Sequence, residues 1–213
     1  MRHVFVETNW VVGYAAPEHH QIPAARRLAE RAGLGECRVY LPALCLGEAR
    51  RTIQKFQPRH EADAIRRFLR RADVVAPDDA QTTRRVLDTY ENTIRAELHS
   101  LDSRLAAIKA QPGFEVFGLD DAMLARSIEL STGELSSLQA FDQAILAAIL
   151  VRAERLREQR ATDIVFCELD SDLQPWDKNG NPKSALLDVY NQAQLWVYRD
   201  FEFSGPARPS TTR

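Results

Sequence analysis

Most carboxylates in this chain fall on polar helix faces, where solvation accounts for them, but four segments carry acids in apolar surroundings. Glu7 closes the run His3-Val4-Phe5-Val6-Glu7, directly ahead of Thr8-Asn9. Glu48 lies within Leu44-Cys45-Leu46-Gly47-Glu48-Ala49, and Asp142 within Phe141-Asp142-Gln143-Ala144-Ile145-Leu146. Asp170 and Asp172 follow the apolar stretch Ile164-Val165-Phe166-Cys167 and its continuation Glu168-Leu169. An unpaired acid at a buried strand end costs on the order of several kcal/mol in desolvation. Several such acids converging raise one another's pKa. A divalent cation relieves both penalties, and Mg²⁺ or Mn²⁺ bound by a few carboxylates keeps waters that it can activate. No histidine or cysteine belongs to the set, which favours a hard ion over zinc. The plainer reading is that each acid caps a helix or pairs with an arginine.

The elements that would position these acids alternate along the chain. A short buried strand is expected at residues 3–7, a helical turn at Trp10–Tyr14 and a helix at 20–32 stopped by Gly33 and Gly35. Arg38–Leu41 reads as a second strand closed by Pro42, Ala43–Phe56 as a helix, and 60–71 as an amphipathic helix. Ala72–Pro77 reads as a short strand or an extended connection. Val86, Tyr90, Ile94, Leu98, Leu101, Leu105 and Ile108 recur at helical spacing, predicting one long helix broken at Pro112-Gly113. That apolar stripe packs on the body or on another subunit. Phe114–Leu119 and Thr162–Leu169 read as further strands, with helices at Asp120–Leu130, Phe141–Arg157 and about 183–198. The segment from Ser204 is expected to be mobile. Such alternation predicts an α/β fold around a central, mainly parallel sheet flanked by helices. In such sheets, sites form at the carboxyl ends of strands. All four acidic segments fall at such ends.

At these residues the sequence resembles the PIN domain family. Val4-Phe5-Val6-Glu7-Thr8-Asn9 resembles that family's first motif and Leu41–Glu48 its second. Phe114–Asp120 resembles the strand and turn before the third, Phe141–Ala148 is the closest match, and Leu169-Asp170-Ser171-Asp172 resembles the fourth. The likeness covers about 1–56 and 114–175, within one domain of about 1–203. Residues 57–112 look like a helical insertion. Glu7 stands where the family usually has aspartate and reaches further by one methylene, about 1.3–1.5 Å. The resemblance implies a three-layer PIN-like fold and metal-dependent hydrolysis of phosphodiester bonds, usually in RNA. It further implies Glu7, Glu48, Asp142 and Asp170 as catalytic acids and Mg²⁺ or Mn²⁺ ligands, with Asp172 assisting. Thr8 and Asn9 would orient the first carboxylate or contact phosphate, although capping of the next helix explains them as well. A bacterial-type PIN endoribonuclease is the leading reading, with the toxin of a toxin–antitoxin pair as one form of it, RNA as substrate, an antitoxin protein as partner and a homodimer as assembly. Two alternatives stand beside it: a non-catalytic PIN-like module that binds nucleic acid or protein, and a phosphatase using Asp170-Ser171-Asp172.

Arg50, Arg51, Lys55 and Arg59 follow Glu48, and Arg66, Arg67, Arg70 and Arg71 crowd the next helix. They form a basic rim suited to a phosphate backbone or an ordinary solvated face. Of the 28 basic residues only four are lysines, yet the net charge is −2, so any basic surface must be local. His19-His20 reads as surface loop, and Trp176 as packing or a base-stacking ring. The three cysteines (Cys37, Cys45 and Cys167) read as buried thiols in a reducing cytoplasm. No apolar run approaches a membrane span, and the chain begins without a signal-like segment.

Overall fold

The structure is a computed structural model that describes residues 1–56 and 59–204. Its centre is a five-stranded, wholly parallel sheet built from β1 (Arg2–Phe5), β2 (Cys37–Pro42), β3 (Phe114–Phe117), β4 (Ile164–Cys167) and β5 (Trp196–Tyr198), in the order β3-β2-β1-β4-β5. With neighbours on both sides, β1 must be apolar on both faces, and Val4, Phe5 and Val6 are fully buried. From β1 the chain builds outward through β2 and β3, then returns to lay β4 against the other side of β1. The gap between β1 and β4 is therefore the point where the winding reverses, the place where crevices open at the carboxyl edge of α/β sheets.

The helices are α1 (Thr8–Ala15), α2 (Pro23–Gly33), α3 (Leu44–Ile53), α4 (Arg59–Ala72), α5 (Pro77–His99), α6 (Leu101–Lys109), α7 (Asp121–Thr132), α8 (Ala140–Glu158) and α9 (Ser184–Gln192). Helix α1 packs against α2, α3 and α6, while α7 lies along α8. Parallel strands need crossovers, and their right-handedness sends the two directions of winding to opposite faces of the sheet. The result is the expected three-layer arrangement of helices on both faces. Local chemistry starts the helices where they begin: Pro23 occupies the first turn of α2, and the Asp120 carboxylate accepts from the Met123 amide 3.1 Å away at the start of α7. Helix α8 buries every residue from Ile145 to Val151, which is why its sequence is almost continuously apolar. Gly113, at φ +79° before β3, passes so close to α2 that a Cβ there would stand 2.2 Å from the Ala32 carbonyl oxygen.

Three expected elements differ. The long helical stripe is two helices, parted at Ser100, and its buried line runs through Ala80, Leu87, Ile94, Leu101 and Ile108. Val86 and Tyr90 are instead exposed, because the first half of α5 packs mainly on α4 and buries only a narrow seam. Residues 73–75 form a turn between α4 and α5, not a strand. The last helix stops at Gln192. Gln194 takes φ +49°, the Leu195 amide returns to the Tyr190 carbonyl at 2.9 Å, and Trp196-Val197-Tyr198 becomes the edge strand β5. The helical insertion expected at 57–112 contains α4, α5 and α6, with Gln57 and Pro58 outside the described residues. Ser204, expected to begin a mobile tail, is bound to Asp200 through its amide at 3.2 Å and its hydroxyl at 2.9 Å. Residues 205–213 lie outside the described residues. Among the described residues, no helix is long and apolar enough to cross a membrane.

Candidate functional site

Glu7 follows β1 by two residues and serves as the cap of α1, its Oε1 accepting from the Asn9 amide at 2.8 Å. The residue is 4% exposed. Burial raises its pKa to about 8, with Glu48 and Asp170 pushing the same way and the Asn9 hydrogen bonds opposing. Glu48, half-buried in the first half of α3, accepts a short hydrogen bond from the Thr8 hydroxyl. Thr8 and Asn9 thus divide the work: Asn9 holds Glu7 and Thr8 holds Glu48. Asp142 stands in the first turn of α8, and its pKa is raised by partial burial and by Glu48, Asp170 and Asp172. Asp170 and Asp172 are exposed at the rim, where the Asp170 Oδ1 accepts from the Asp172 amide at 3.0 Å.

The structure brings in one acid that the sequence reading left unassigned. Glu168 directly follows β4 and is fully buried. Its pKa lies well above the usual carboxylate range through burial first, then through Glu7, Asp170 and Asp142. Since Phe5 pairs with Phe166, continuing the same parallel offset for two residues sets Glu7 level with Glu168. The two also share a turn. Just as Glu7 takes the amide of Asn9, the Glu168 Oε1 takes the amide of Asp170, two residues on, at 2.5 Å. Neighbouring donors serve other acceptors: the Gln174 amide donates to the Glu168 main-chain oxygen at 3.0 Å, and the Tyr190 hydroxyl to the Leu173 carbonyl at 2.8 Å. A single sequence signal existed, an acid immediately after the most apolar strand.

The six acids therefore form a graded site, with Glu7 and Glu168 at its floor, Glu48 and Asp142 part-buried, and Asp170 and Asp172 outermost. Among the described residues, none of the six has an arginine, lysine or histidine as ion-pair partner. By contrast Asp73, Asp102, Glu115, Asp120 and Asp163 each pair with an arginine. Pairing with arginine thus accounts for surface acids and not for this group. Capping accounts for one oxygen of Glu7 and leaves its burial among like charges unexplained. Among the described residues, no three or more His, Cys, Asp or Glu side chains stand together as a closed set of metal ligands. The surrounding acids raise the pKa values of Glu7, Asp142 and Glu168 without the side chains being drawn to a common point, each of Glu7, Glu48 and Glu168 being held by a nearby donor. Beside Asp172 lies a cavity of about 380 Å³ that also borders Lys183, Ser184, Gln139 and Leu186.

The basic rim is less uniform than the sequence suggests. Arg50 makes a two-pronged ion pair with Asp102 of α6, at 2.7 and 3.1 Å, which engages its charge. Arg66 is similarly engaged by Asp88 and Glu91. Arg51 and Lys55 are exposed and, among the described residues, have no ion-pair partner; the Arg59 side chain is outside those residues. His19 is exposed in a short 3₁₀ turn (Glu18–His20), within 3.1 Å of the Tyr90 hydroxyl. Trp176 is buried, as packing requires. The three cysteines are free, buried thiols. Compared with protein-family models, curated proteins and solved structures, the chain finds no match.

Proposed function

We propose that this chain is a metal-dependent nuclease of the PIN type that hydrolyses phosphodiester bonds in RNA. The observation that carries the reading is that Glu7, Glu48, Asp142 and Asp170, from four separate segments, share one electrostatic neighbourhood at the sheet's carboxyl edge. That edge is where the winding reverses between β1 and β4. Acids gathered this way destabilise one another, and their hard oxygen donors suit Mg²⁺ or Mn²⁺. An atom with no partner supports the fit further: the Glu168 Oε2 is buried and accepts no hydrogen bond among the described residues.

Glu7, Glu48, Asp142 and Asp170 would hold the ion, directly or through water, with Asp172 at the rim. Such an ion supplies a water of lowered pKa and stabilises charge building on phosphorus. The chain's own groups do the positioning. Asn9 fixes the Glu7 carboxylate, and Thr8 fixes Glu48. Arg51 and Lys55, without ion-pair partners among the described residues, would hold the RNA backbone by phosphate contacts that carry no sequence information. Within this reading a toxin role is the finer proposal, tested by growth arrest on induced expression that Glu7→Gln relieves.

Incubating the protein with RNA and Mn²⁺, beside its Glu7→Gln and Asp142→Asn variants, tests the activity. Wild-type cleavage lost in both variants is the expected result, and equal cleavage by all three proteins overturns it. RNA binding without cleavage by the wild-type chain would return the reading to a non-catalytic module.

A further inference from the structure

Glu168 is fully excluded from solvent, next to Glu7 across the β1–β4 gap. Its two oxygens have different circumstances. Oε1 is held by the Asp170 amide, which locks the side chain in place. Oε2 is buried and has no hydrogen-bond partner among the described residues. A purely structural carboxyl group would not be left so. Ionised, it needs a donor or a cation; protonated, its O–H needs an acceptor. The Tyr190 hydroxyl is committed to the Leu173 carbonyl, and the Gln174 amide already gives one N–H to the Glu168 main-chain oxygen.

We propose that Glu168 is an inner ligand of the divalent cation, its free Oε2 and the Glu7 carboxylate forming the floor on which the ion sits. The rim acids Asp170 and Asp172 then act farther out, Asp170 also lending its amide to hold Glu168 in place. Two glutamates anchored by the same backbone turn on adjacent strands give a pre-set pair, so little ordering is needed when an ion arrives. This inference rests on the metal-dependent reading above and adds a ligand to it.

The test is calorimetric titration of Mn²⁺ alone into the full chain, stripped of metal, without RNA. Glu168→Gln retains the shape and the Oε1 acceptor while removing the charge. The expected result is Mn²⁺ binding at least about 10-fold weaker than wild type, with a melting temperature in chelator no lower than that of wild type. If Glu168→Gln binds as wild type does while Glu7→Gln binds more weakly, the Glu168 assignment falls and the metal-dependent reading stands. A wild-type chain that takes up no Mn²⁺ at millimolar concentration overturns both. Should the glutamine variant fail to fold, Glu168→Asp carries the test. It keeps the charge but withdraws the carboxylate by one methylene, so it must bind Mn²⁺ more weakly than wild type, and equal binding overturns the assignment.

Discussion

Replacing Glu7 by glutamine should stabilise the metal-free protein at neutral and alkaline pH, although it removes an acid the proposed chemistry needs. Burial, Glu48 and Asp170 raise the Glu7 pKa from 4.5 to about 8. Between those values the folded state holds a proton that the unfolded chain has released, so stability falls as pH rises. The contribution is fully present below pH 4.5 and gone above about pH 8. At about 1.36 kcal/mol per pKa unit, the window amounts to roughly 4–5 kcal/mol, of which about 3 kcal/mol is lost by pH 7. Glutamine cannot ionise, yet its amide oxygen still accepts from the Asn9 amide. Urea denaturation of both proteins in EDTA, at pH 5 and again at pH 8.5, measures the difference. Wild type should lose about 4 kcal/mol more than Glu7→Gln over that interval. Equal losses would refute the view that Glu7 is forced to ionise in a buried, negatively charged setting.

Added Mn²⁺ should raise the wild-type melting temperature, by the equivalent of about 2.7 kcal/mol at 100 times its dissociation constant. Asp142→Asn should shrink that rise, and a thermal melt with and without metal reads both. Gly113→Ala should cost upwards of about 2 kcal/mol by urea denaturation, since φ +79° and the Ala32 oxygen 2.2 Å away both oppose a Cβ. A cost near zero there would mean that β3 and the end of α2 separate easily. Arg51→Ala and Lys55→Ala should each weaken RNA binding across sequences and lower the slope of log affinity against log salt by about 1. Arg50→Ala, whose charge is engaged by Asp102, should change the slope less; filter binding at several salt concentrations separates the three.

The acids at positions 7, 48, 142 and 170 were legible because each interrupts or borders an apolar run where solvation cannot explain a charge. Glu168 has the same credentials but is flanked by Asp170 and Asp172, which draw attention to the loop. Its importance depends on strand pairing: only the β1–β4 register sets it beside Glu7. The segment that forms β5 also continues a helical period through Leu186, Tyr190, Ala193 and Val197. Local backbone geometry at Gln194 decides between the two periods, and composition does not encode it strongly. In α5 the spacing of Val86 and Tyr90 was genuine, but a helix with few neighbours buries less than its apolar stripe offers. Arg50 shows the same limit for charge, since its partner Asp102 is brought near by tertiary packing.

Because Glu7 is at once an acid of the floor and the cap that starts α1, the site and the scaffold cannot drift apart independently. A change to alanine would strip both the carboxylate and the cap, whose loss alone costs about 0.5–2 kcal/mol. A lineage losing the proposed chemistry would therefore tend to pass through glutamine or asparagine, which retain the acceptor. Descendants with a silent site should still carry a polar residue at position 7, held there by the fold's own needs.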